Sequence, residues 1–185
     1  MKVTIRNIKL DFPFDKYCKL IFSVPPTEDL IGIREIRFVD TYSHPKTVQD
    51  ALSCYLQGNN GRNAVIEVNI PNILKGKIHE FNFTNYPEVA ALLLSQVVFN
   101  EIGHHVHKFK RHGVKKEKRE IFAAKYTVAC YYRYLSSRKA KILAEYRRAS
   151  RNTLEMDEQG RDSALKSRYE IIAWLEEHRE AVEFP

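Results

Sequence analysis

Four of the seven histidines lie between positions 104 and 112, in a stretch that reads Phe99-Asn100-Glu101-Ile102-Gly103-His104-His105-Val106-His107. Imidazole and carboxylate groups this close together do acid–base or metal chemistry when they share a face. On a helix, Asn100 and His104 are four residues apart and stand one above the other, with Glu101 beside them. Leu93 and Val97 continue that face upstream, so the polar cluster ends an apolar stripe, a pattern that suggests a cleft. Glu101, His104 and His107 form a second stripe at spacings of three, and i, i+3 pairs do hold metals in helical sites. His105 lies about 100° around the helix from His104, so the two cannot easily share one metal. The competing reading of such a cluster is solvated surface, because charged histidine is favoured near a helix C-terminus.

The same string resembles the active-site helix of the zincin metallopeptidases, whose motif is HExxH. Small intracellular zincin-like proteins carry it as HEIGHHVH, and residues 100–107 match that form at every position but the first. The upstream order is also similar: a strand ending in Ile36-Arg37-Phe38-Val39-Asp40, a strand hairpin, then the motif helix. Downstream, Glu120-Ile121-Phe122-Ala123-Ala124 resembles the second-helix segment that supplies a glutamate ligand in the gluzincin branch. The resemblance implies a zinc cofactor held by position 100, His104 and Glu120, with Glu117 as the substitute for Glu120 and His107 as an alternative ligand. Catalytic zinc takes three protein ligands and leaves one position for water. Glu101 is then the base that takes the proton of that water as it attacks a peptide carbonyl, and passes it to the leaving amine. The strand at 64–70 is the expected edge for an extended peptide substrate.

Two departures stand against full activity. Asn100 offers a neutral amide oxygen where the family has imidazole, a poor exchange on zinc. Ala123 and Ala124 stand where a carboxylate or Asn often orients a ligand histidine, and losing such a partner costs roughly 10- to 100-fold in affinity or activity. The expected protein is a zincin-type, metallopeptidase-like chain with zinc weakly held or absent and hydrolysis impaired. The alternative is a non-catalytic module that binds a protein partner on the same fold.

These side chains need elements to position them. Residues 2–12 alternate as a strand with a phase slip near Asn7, and residues 17–24 (YCKLIFSV) read as a second strand. Residues 33–39 alternate as a third. Residues 51–56 and 64–70 flank Gly58-Asn59-Asn60-Gly61, a hairpin signal. Residues 71–84 read as irregular. Thr84 or Asn85 as cap, Pro87 and Glu88 in the first turn, and Gly113 as stop predict a helix over 87–112. A second helix is expected over 116–148, with a possible break at Ser136-Ser137, and a third over 161–182 anchored by Trp174, after a linker at 150–160. Strands first and helices afterwards give an α+β domain over 1–150, with 151–185 packed on it.

Composition narrows the setting. The chain has 185 residues, 44% hydrophobic and 29% charged, which is globular. Cys18, Cys54 and Cys130 are too few and too scattered for a disulfide framework. Neither a signal-peptide core nor an apolar run of membrane-spanning length is present, so a cytoplasmic location and no membrane partner are expected. Charge is uneven. Residues 101–151 hold 15 Lys/Arg against 4 Asp/Glu, and residues 152–185 hold 4 against 9. The basic block at 108–151 reads first as a solvated face partly neutralised by the acidic tail. Nucleic acid is the less supported partner, since no base-reading motif accompanies the block.

Overall fold

The computed structural model describes residues 1–44, 49–58, 63–76, 85–110 and 116–153. The fold is α+β: a four-stranded mixed sheet comes first and helices follow. Strand β1 (Lys2–Arg6) pairs in parallel with β2 (Ile33–Val39), which pairs in parallel with β4 (Ala64–Asn69). Strand β3 (Ser53–Leu56) runs antiparallel to β4 and closes the order β1-β2-β4-β3. The hairpin expected from the glycine–asparagine turn is therefore present. The strand at 64–70, however, is not the edge. Its far side is taken by β2, which leaves β3 as the edge beside it.

Helix α1 (Phe14–Phe22) replaces the strand expected at 17–24. Its buried residues are Phe14, Tyr17, Cys18 and Ile21, spaced for one helical face. A short apolar run does not reveal its own period. Topology decides it here, because two parallel strands need a crossover, usually helical, between them. Strand β1 stops at Arg6 because Asn7 takes a left-handed conformation (φ 56°). Helix α2 (Ile70–Gly76) occupies part of the stretch read as irregular. Asn69 caps it, its Oδ1 accepting the Asn72 N–H at 2.9 Å.

Helix α3 (Pro87–Lys110) carries the motif, and α4 (Lys116–Thr153) packs along it. The cap of α3 comes from another element: Glu145 of α4 accepts the Glu88 and Val89 N–H groups at 2.8 and 3.1 Å. Helix α4 runs unbroken past Ser136 and Ser137, where the Ser137 hydroxyl bonds back to the Tyr134 carbonyl. It also continues four residues, 150–153, into the stretch read as a linker. Gly113, Thr84, Trp174 and the helix expected at 161–182 lie outside the described residues.

The core lies between the sheet and the helices. Ile36, Phe38, Ile66 and Val68 meet Leu94, Val98, Phe99 and Ile102 of α3, with Tyr126, Cys130 and Tyr134 of α4. The tyrosines at 126, 131 and 134 are buried and that at 132 half-buried, so this aromatic run serves packing. Burial pushes the Cys18 and Cys130 thiols up to about 12, which removes them as nucleophiles. No helix among the described residues is long and apolar enough to cross a membrane.

The two long helices come into close backbone contact at Gly103. A β-carbon there would lie 2.9 Å from the Ala123 Cα and 3.1 Å from its carbonyl oxygen. Gly103→Ala gains about 1 kcal/mol in helix propensity. It also forces backbone apart, and overpacking costs about 1–3 kcal/mol or more. The backbone neighbour cannot rotate away, so the clash should win. A melting temperature several degrees below wild type is expected by calorimetry, and an unchanged or raised value would show that the helices can separate freely.

Candidate active site

Helix α3 enters the site with Glu101 on its inner face. Glu101 is 8% exposed, and its Oε1 accepts a hydrogen bond from the Ser53 hydroxyl at 2.7 Å. Burial holds its carboxyl above the usual carboxylate range. The Ser53 bond opposes this and the charge of Glu120 adds to it. A carboxylate with a raised proton affinity is suited to taking a proton near neutral pH.

One turn on, half-buried His104 brings its Nε2 to 3.5 Å from Glu120 Oε2 of α4. Burial lowers the proton affinity of His104 against the pull of Glu120, which favours the neutral imidazole a metal requires. Glu120 is itself 58% exposed, so its carboxylate lies at the rim. The close approach of the helices at Gly103 and Ala123 sets this distance. Ala123 is fully buried against α3, so its small size has a packing role of its own.

The remaining candidates fall in different places. Asn100 is half-buried on α3, one turn before His104. His105 is buried and turned to other partners: its Nε2 donates to the Ile31 carbonyl at 2.8 Å, and its Nδ1 lies 2.9 Å from the Tyr55 hydroxyl. A carbonyl only accepts, so the proton sits on Nε2 and Tyr55 donates to Nδ1. Burial lowers its proton affinity, in line with that neutral form. His107 is buried with its ring 5.2 Å from that of Phe122. The Glu117 side chain lies outside the described residues.

Sequence reasoning missed Ser53 and Tyr55. They lie two apart on β3, so they share one face, and that face meets Glu101 and His105 four apart on α3. Alternation along 53–56 was a usable signal for the shared face. The partner residues were not, because nothing local encodes which helix a strand face meets.

The donor set can be tested against zinc. Two ligand atoms on adjacent corners of a tetrahedron with bonds of ~2.0–2.1 Å lie about 3.3 Å apart. The 3.5 Å separation of His104 and Glu120 fits two such corners. Asn100, the third ligand that the resemblance implies, carries an amide in place of an imidazole. Among the described residues, no three His, Cys, Asp or Glu side chains are grouped to hold a metal ion. The residues present are one strong ligand short of a catalytic zinc site.

Compared with known proteins, the chain matches no family model, no curated protein and no solved structure.

Proposed function

We propose that this chain is a metallopeptidase-like protein of zincin type that retains the peptidase cleft and, lacking the first imidazole ligand, does not hydrolyse peptides. The observation that carries the reading is the meeting of His104 and Glu120 at 3.5 Å, one turn from buried Glu101. A base and two proposed ligand positions lie on facing helices, and the deficit lies first at Asn100, with Ala123 and Ala124 supplying no group to orient a ligand histidine. Strand β3, whose Ser53 meets Glu101, has β4 on one side and no strand on the other among the described residues. An extended peptide or protein partner would pair there, along β3 and not along the strand at 64–70.

The test is cleavage of a denatured protein by the purified chain with added zinc. No cleavage above background is expected. Cleavage that disappears in Glu101→Gln would overturn the inactive reading and make this chain a working peptidase.

A further inference from the structure

The charged side chains of α4 are sorted by where they point. Between residues 121 and 144 the helix contains no Asp or Glu. The nearest acids on either side are engaged with α3: Glu120 meets His104 at the rim, and Glu145 caps the helix. Arg138 is also turned inward, paired with Glu88. Lys118, Lys125, Arg133, Lys139 and Arg147 are exposed. At about 100° per residue these five fall within roughly a third of the helix circumference. Because α4 is a single uninterrupted helix, they form one row about 44 Å long at a rise of ~1.5 Å per residue. Neighbours in the row are spaced roughly 9–12 Å along the axis by the same rise. Among the described residues, Lys118, Lys125, Lys139 and Arg147 take part in no ion pair.

We propose that the solvent face of α4 binds the phosphate backbone of double-stranded DNA without reading its sequence. With α4 laid along the ~12 Å wide major groove of B-form DNA, the row's spread over a third of the helix circumference lets its long side chains reach phosphates on both walls. A-form duplexes have a narrow major groove and fit the row less well. Single strands are bound largely by stacking on aromatic side chains. The α4 tyrosines 126, 131 and 134 are buried and Tyr132 is half-buried with its hydroxyl inside, so among the described side chains of this face no aromatic ring stands exposed as a platform. Contacts from the row's lysines and arginines to phosphates carry no sequence information, so this binding is electrostatic and its signature is salt dependence.

The experiment is fluorescence anisotropy of a labelled 24-base-pair DNA duplex of arbitrary sequence, titrated with the full chain. Micromolar affinity is expected at ~50 mM salt. With about four phosphates neutralised, the log–log salt slope should be about −3 to −4, roughly a 100-fold loss by ~200 mM. Lys125→Glu with Lys139→Glu should weaken binding at least tenfold and flatten the slope by about 2. Lys125→Gln with Lys139→Gln should act in the same direction, and circular dichroism should show both doubles folded. No binding at ~50 mM salt overturns the proposal. So does an equal loss from Lys9→Glu, an exposed position outside the row. Tighter binding to single-stranded DNA, duplex RNA or phosphatidylserine vesicles also overturns it.

Discussion

Asn100→His should raise zinc affinity at least tenfold, about 1.4 kcal/mol or more, as read by isothermal titration against wild type. The two other proposed ligands, His104 and Glu120, lie 3.5 Å apart. Position 100 is one helical turn before His104, so an imidazole there projects over the same face. The substitution exchanges a weak neutral oxygen for a preferred zinc ligand and leaves the helix spacing unchanged. Binding should also release protons, and should weaken as pH falls and the imidazoles charge. If wild type binds zinc as tightly as the variant with one-to-one stoichiometry, the amide is not the deficit. His107 or a residue outside the described set would then complete the site. If neither binds, His104 and Glu120 are an ordinary ion pair at the rim, and the zincin reading loses its main support.

The shared face of the candidate residues on α3 was legible in the sequence because helix geometry is local. Asn100, Glu101 and His104 are separated by one and three residues, so their shared surface follows from 3.6 residues per turn. The approach of Glu120 rested on a resemblance, and the contact that brings it about is Gly103 against Ala123. The strand beside the site was less legible. An antiparallel hairpin at 51–70 follows from its turn, yet which of its strands is the edge depends on β2, about 30 residues upstream in pairs such as Phe38 with Val68. The run at 17–24 failed for a related reason. Its apolar residues suit a strand or a helix equally, and only the parallel pairing of β1 with β2 selects the helix. Helix α4 shows the opposite error. Two serines look like a break, but a serine hydroxyl bonded to the preceding turn is tolerated within a helix.

Arg37→Met should be the most destabilising of the substitutions considered. Arg37 lies on β2 with its guanidinium between two buried carboxylates, 2.9 Å from Glu35 and 3.1 Å from Glu67. Glu67 is fully buried and also holds the Ser43 N–H and hydroxyl, anchoring the chain that leads toward β3. Glu35 takes the Thr4 hydroxyl of β1 at 2.6 Å. Removing the cation leaves buried Glu67 without its counter-charge and Glu35 with only the exposed Arg34 at 3.9 Å, which costs about 3–5 kcal/mol. For a chain of this size that lowers the melting temperature by about 10 °C. The pH dependence has a definite sign. The Arg37 hydrogen bond, opposed by burial, holds the Glu35 carboxyl down at about 2 against an ordinary 4.5. The pair therefore contributes its full stability above about pH 4.5 and loses it as pH falls through about 2. The gap between wild type and variant should be widest near neutrality and narrow across that acid window. Adding Glu35→Gln to Arg37→Met should recover part of the loss, because an uncharged amide can keep the Thr4 bond without needing a cation. A loss that is the same at pH 7 and pH 3, with no recovery in the double variant, would mean that Arg37 acts through its packed stem and not through its charge.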